Sequence, residues 1–304
     1  MYDEFSMLAE NAAEVGLPWR GAPSVQRVGH VAPSGRRVSG LRWGDDDADP
    51  ELVLLHGGAH NAHTFDTVAL ALDRPLVAID LPGHGHSDWR DDHDYRPSAV
   101  ADDVAAAIDA LAPGPSHRLL VGMSLGGLTA LAIAGQRPDL APRLLLVDVT
   151  PGVDRDKAAA IVAFVSGPES FESFDAILER TVAFNPTRSV SSLRRGVLHN
   201  AVEQPDGTWT WRYDRLRGDV LAVEQQLDDL WNALEAHRGP LLLARGALSP
   251  VVSDTDIAEL RRRRPDAEVV AVDSAGHSIQ GDRPLALAAL IAGWSAASAG
   301  HLTG

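Results

Sequence analysis

The chain contains no cysteine in 304 residues. That excludes disulfides, thiolate nucleophiles and cysteine-based zinc sites, and it fits a cytoplasmic protein. Basic residues are also scarce: 27 Lys and Arg against 42 Asp and Glu leave a formal net charge of −15. Nucleic acid and anionic membrane surfaces both select basic patches, so neither is an expected partner. The same balance disfavours a strongly anionic substrate unless a local arginine cluster reverses the field. Uncharged apolar runs are short, and none approaches the roughly 18 residues that a membrane helix needs. The opening MYDEFSMLAENAAEVG is acidic and has no basic stretch leading into an apolar core, so no signal peptide is expected. Internal repeats are absent. What is present, 45% hydrophobic and 23% charged residues, suits a globular chain that buries a core.

From about residue 51 short apolar runs alternate with helical spacing. Runs at 52–55, 76–79, 119–122 and 144–149 read as buried strands, with helices at 100–111 and 128–136 between them. The alternation resumes at 241–244 and 269–272 and ends in a helix over about 283–296. This is the pattern of an α/β fold, a mostly parallel sheet flanked by helices. Between residues 153 and 236 no apolar strand run occurs. Helix-like pieces at 157–165, 171–184 and 220–236 carry a group of Phe and Trp residues instead. We expect an N-terminal extension at 1–24, a core from 25–152 and 237–304, and a helical cap from 153–236 over the carboxyl edge of the sheet.

The strongest local signal is Gly122-Met123-Ser124-Leu125-Gly126, where a strand ends and a helix begins at once. A serine at the tip of so sharp a turn needs strained dihedrals, and the flanking glycines let neighbouring backbone pass closely. The turn presents the Ser124 hydroxyl at the sheet edge and the Leu125 N–H at a helix N-terminus, where negative charge is favoured. Serine is a weak nucleophile without a base. His277, in Asp273-Ser274-Ala275-Gly276-His277-Ser278 beyond the last strand, is the candidate. His30, His93, His117, His199, His237 and His301 have no comparable setting. A second strand runs into His56-Gly57-Gly58-Ala59. Gly58 N–H together with Leu125 N–H would make a two-donor oxyanion hole, and His56 is expected to brace the loop by hydrogen bonding.

HGG at 56–58, DLPGHGHS at 80–87, GMSLGG at 122–127 and AGHS at 275–278 occur in an order and at distances that resemble the α/β-hydrolase fold family. The resemblance covers about residues 50–304, with the cap matching the insert that many members carry. It implies attack by the serine on an acyl carbon, proton transfer by the histidine, and an acid that orients it. It leaves the substrate open.

Members of that family most often take the acid from a G-x-x-D-P loop, but here the corresponding residues are Gly246-Ala247-Leu248-Ser249-Pro250. Two replacements are available. Asp254 shares the loop, yet with Ser253 as N-cap it reads as the first turn of a helix. Asp148, at the carboxyl end of the strand after the nucleophile's helix, is an acid in apolar surroundings that needs a partner, and a catalytic histidine supplies one. The expected triad is Ser124, Asp148 and His277, with Asp254 as the alternative acid.

The expected reaction is hydrolysis of a carboxylic ester or lactone on a small, apolar substrate, with no cofactor and no metal. Ala59, Trp209, Trp211 and Phe164 are candidate substrate contacts, the aromatics standing equally as the cap's own core. The oligomeric state is left open. Carbon–carbon hydrolysis of ring-cleavage products is the runner-up; such substrates are carboxylates, and Arg188, Arg194 and Arg195 are the cap arginines available to them. A ligand receptor on the same scaffold is a third reading. The weakest is a metallohydrolase. It would use His84-Gly85-His86-Ser87-Asp88, an H-x-H-x-D sequence followed by Trp89, with His56, His60 and His63 nearby.

Overall fold

The computed structural model describes residues 2–45, 47–114, 117–152, 155–215 and 220–299. Helix α1 (Leu8–Glu14) precedes an antiparallel hairpin of β1 (Val25–Val31) and β2 (Arg37–Trp43). There follow β3 (Leu52–Leu55), α2 (Asp66–Leu72), β4 (Leu76–Ile79), α3 (Pro97–Leu111), β5 (Leu119–Met123), α4 (Leu125–Gln136) and β6 (Arg143–Val147). An insert holds α5 (Arg155–Val165), β7 (Ser170–Phe171), α6 (Phe174–Phe184), α7 (Val190–Asn200), β8 (Ala201–Glu203) and β9 (Trp209–Trp211). Helix α8 (Val220–Ala236) leads back to β10 (Leu241–Gly246), α9 (Asp254–Arg263), β11 (Glu268–Val272), α10 (Ile279–Asp282) and α11 (Pro284–Ala299).

The main sheet has eight strands in the order β1-β2-β4-β3-β5-β6-β10-β11, parallel from β4 onward. Its central strands, LVLL, LVAI, LLVGM and RLLLV, are buried at every residue. Continuous apolar runs without alternation are what burial on both faces selects. Two apolar clusters line those faces. One joins α3, α4 and α8 to the sheet, the other α2 and α11.

The register sets where the strands end. Leu55 pairs with Gly122, Met123 with Val147, Val147 with Ala244, and Gly246 with Val272. One step beyond these pairs, residues 56–58, 124, 148, 247–249 and 273–277 gather along a single carboxyl edge.

The insert differs from the all-helical expectation. Strands β7, β9 and β8 form a three-stranded antiparallel sheet, and α7 is a helix not anticipated from the sequence. Helix α8, assigned from the sequence to the cap, packs on the core instead. Its Leu230, Trp231 and Leu234 belong to the cluster around α4, so the insert ends before this helix does. The N-terminal segment is packed as well. Leu8 is buried, and Asn11 and Glu14 accept hydrogen bonds from Arg195 of α7.

Candidate active site

Ser124 sits between β5 and α4 with φ 50° and ψ −118°. Positive φ is costly for a residue with a β-carbon, and the surrounding glycines show what holds the turn. A β-carbon on Gly122 would strike the Gly126 carbonyl oxygen and stand 2.5 Å from Gly127 Cα; one on Gly126 would run into the Leu55 carbonyl. The turn is therefore clamped on both sides by backbone. It is also tied to its neighbour strand, since Ser124 N–H donates to Val147 O at 3.2 Å.

The His56-Gly57-Gly58 loop runs alongside. A β-carbon on Gly57 would be 3.2 Å from Ser124 Cβ, whereas one on Gly58 would meet nothing within 4 Å. Among the described residues neither Gly58 N–H nor Leu125 N–H donates to a protein acceptor. Two backbone donors beside Ser124 are thus free. His56 braces this loop as a neutral ring: burial, followed by the nearby His84, pushes its pKa down to about 3. Its Nε2 accepts from Leu81 N–H at 2.9 Å, and its Nδ1 faces Gly57 O at 2.8 Å.

His277 follows β11 on the Ala275-Gly276 loop. Its Nδ1 lies 2.8 Å from Asp148 Oδ2. Asp148 is fully buried and has φ 50°, a conformation Asp tolerates better than most side chains. Its carboxylate is satisfied by three donors: Gly246 N–H reaches Oδ1 at 2.9 Å, and the Ser249 hydroxyl donates to Oδ2 beside His277. Asp254 stands elsewhere. Its side chain is 93% exposed and pairs with Arg245 at the start of α9, where Ser253 N–H donates to Asp256 Oδ2 at 2.7 Å in a helix-capping arrangement. The structure thus brings Asp148 to His277 and leaves Asp254 in solvent.

The aromatic candidates lie within the insert. Phe164 stacks on Phe184 at 4.3 Å, Trp209 meets Phe174 edge-on at 5.2 Å, and Trp211 stacks on Tyr213 at 5.4 Å. They build the insert's own core. Ala59, packed into that cluster, carries it to the glycine loop, and Asn200 Nδ2 donates to Ala59 O at 2.6 Å.

The H-x-H-x-D residues do not converge. His84 Nδ1 faces Pro82 O, His86 N–H donates to Asp80, and Asp88 accepts from Arg37 N–H. His63, Asp66 and His199 do form a buried cluster with donor atoms within 4.8 Å of one another. However, the two imidazoles stack at 3.8 Å with only 10° between their planes, so their lone pairs lie in separate, near-parallel planes and do not converge on one ion. His63 is instead ion-paired, with Asp66 at 2.9 Å and Glu4 at 3.2 Å.

A serine on a strand-to-helix elbow, a histidine held by a buried carboxylate and two free amides share one sheet edge. A family model described as "Alpha/beta hydrolase family" matches residues 52–290. The chain belongs to the alpha/beta hydrolase family. It is 44% identical over 300 residues to the esterase Rv0045c of Mycobacterium tuberculosis, covering 96% of this chain and 95% of that protein. A solved structure of that esterase matches with a TM-score of 0.84 at 44% identity, covering 96% of this chain and 98% of that one. The mouse sn-1-specific diacylglycerol lipase ABHD11 is 32% identical, covering 79% of each chain. The 2-(acetamidomethylene)succinate hydrolase of Mesorhizobium japonicum is 31% identical, covering 76% of this chain and 82% of that protein.

Proposed function

We propose that this enzyme hydrolyses small carboxylic esters or lactones through an acyl-enzyme on Ser124, with His277 as base and Asp148 as acid. That it is an ester-bond hydrolase rests on its family and on an esterase relative 44% identical along nearly the whole chain. The observation that carries the triad is the 2.8 Å contact of His277 Nδ1 with the buried Asp148, one strand away from the Ser124 elbow.

The steps follow from which atoms are already engaged. Nδ1 of His277 is held by Asp148, so Nε2 is the nitrogen left to take the Ser124 proton. As the Ser124 oxygen bonds to the carbonyl carbon, the carbonyl electrons move onto oxygen, and Gly58 and Leu125 N–H donate to that anion. Removing one such donor costs about 3–4 kcal/mol of transition-state energy in serine hydrolases. The imidazolium then forms beside the hydrogen-bonded Asp148 side chain, and passes its proton to the departing alkoxide. Water, deprotonated by His277, repeats the sequence on the acyl-enzyme and releases the acid.

The insert, joined to the glycine loop through Ala59, acts as a cap over this edge. Turnover of a short-chain 4-nitrophenyl ester tests the reading. Ser124→Ala is expected to abolish it, and persistence of turnover in that variant would refute the acyl-enzyme.

A further inference from the structure

The Arg188 guanidinium lies against Gly281, four residues past His277, and the charges of Arg188 and His277 both act on His60; Arg188 and His60 each keep a buried nitrogen without a partner. Of the five N–H groups of the Arg188 guanidinium, one finds a side-chain acceptor, Ser192 Oγ at 2.8 Å. Its Nε is buried with no partner, and no carboxylate of the described residues lies within ion-pair distance of it. Asp282 and Glu14 act on it only through space, and Asp282 already accepts from Gly276 N–H at 2.8 Å. The two arginines of the following helix, α7, differ. Arg195 is buried among Asn11, Glu10 and Glu14 and ties α1 to α7, while Arg194 is exposed to solvent.

The space that Arg188 occupies is made by a missing side chain. A β-carbon on Gly281 would come within 2.7 Å of the guanidinium carbon and Nη1. Gly281 lies in α10, four residues past His277, and glycine inside a helix is less favourable than alanine. The guanidinium is thus seated on the short helix that directly follows the His277 loop.

From the other side, His60 follows the glycine loop two residues after Gly58, and its Nδ1 is buried without a partner. Burial first, then the charges of Arg188 and His277, hold its pKa at about 3, so it is neutral and offers a single N–H. A half-desolvated guanidinium and a neutral imidazole, each with an orphaned buried nitrogen, are what an anion would complete.

We propose that Arg188 and His60 form an anion subsite beside His277 that takes a carboxylate carried by the substrate away from its scissile ester. This rests on the ester-hydrolase reading and narrows its substrate class to carboxylate-bearing esters. In a chain of net charge −15 it is the local exception that admits an anion.

Two matched pairs of esters test it, because the carboxylate can sit on either half of the substrate. The acyl-side pair is 4-nitrophenyl hydrogen glutarate and 4-nitrophenyl pentanoate; the alcohol-side pair is 3-(butanoyloxy)benzoate and phenyl butanoate. Wild type is expected to prefer the anion of one pair by about tenfold or more in kcat/KM. Arg188→Gln is expected to lose about tenfold more on that anion than on its neutral partner, mainly through KM, and Arg188→Lys to recover part of the preference. No preference for either anion, or a preference unchanged in Arg188→Gln, overturns the subsite. If Arg188→Gln fails to fold, a thermal shift of wild type by glutarate and not by glutaramide decides instead, and equal effects of the two overturn it. If none of the four esters is turned over, the ester reading fails separately, and the glutarate shift still judges the subsite.

Discussion

The Ser249 hydroxyl donates to the same carboxylate oxygen, Asp148 Oδ2, that holds His277 Nδ1. Ser249 stands where the family resemblance expects the acid, and the proposed acid, Asp148, stands at the end of β6 instead. The old position still serves the new one: Ser249 is buried, and its oxygen in turn accepts from Val251 N–H at 3.1 Å. Ser249, Asp148 and His277 are thus one hydrogen-bonded unit.

Asp148→Asn is therefore expected to lower kcat by about 10³–10⁴-fold, the loss seen when a triad acid is amidated and the histidine tautomer is no longer favoured. Asp254→Asn should stay within about twofold of wild type, because exposed ion pairs contribute little. Steady-state kinetics on one ester checks both. The reverse ranking would move the acid to Asp254.

If position 249 is a vacated acid site facing the same histidine, a carboxylate placed there should substitute. Ser249→Asp combined with Asp148→Asn is expected to recover at least about tenfold of the activity that Asp148→Asn alone loses. Ser249→Ala alone removes one donor to a buried charge and should lower kcat/KM by about tenfold. A double variant no better than Asp148→Asn would show that residue 249 cannot reach His277. A melting temperature measured on each variant separates loss of fold from loss of chemistry.

The core strands and the elbow were legible because burial on both faces writes unbroken apolar runs, and because a serine between glycines at a strand end has few other uses. The pairing of Asp148 with His277 was legible through its cost: a carboxylate next to Leu145, Leu146 and Val147 needs a partner. The small sheet was not. Its strands are two or three residues long, too short to show alternation. Helix α7 carries Arg194, Arg195 and Gly196 in its middle and gains its stability from Leu193, Arg195 and Val197 packing inward, which is a tertiary effect. For α8, amphipathic spacing identifies a helix but not the surface it meets, so its place on the core could not be read from the sequence. Nor could the seat of Arg188, which depends on Gly281, more than ninety residues away.

The tight elbow makes a stability prediction. In Gly122→Ala the new methyl would collide with backbone at Gly126 and Gly127, which no rotamer change relieves. Overpacking of this kind costs about 1–3 kcal/mol or more. Chemical denaturation is expected to show at least that loss, accompanied by inactivation from a displaced Ser124. A variant of wild-type stability and full activity would mean that the turn can open without penalty.

The N-terminal segment should be held in a pH-dependent way. Burial pushes the Glu4 carboxyl up, but hydrogen bonds from His63 and Arg27 outweigh it and bring its pKa from 4.5 to about 2. Burial likewise opposes charge on His63, yet Asp66 and Glu4 raise it from 6.5 to about 9. A depressed carboxylate contributes stability above pH 4.5 that is lost as pH falls toward 2. A raised histidine contributes below pH 6.5 and loses that contribution as pH rises through 9. The pair is thus fully engaged between about pH 4.5 and 6.5. The difference in melting temperature between wild type and Glu4→Gln should be largest there. It should shrink toward pH 9 without vanishing, since the Glu4–Arg27 ion pair at 2.6 Å outlasts the histidine charge. A difference that stays constant from pH 5 to above pH 9 would mean that His63 carries no charge in the folded protein.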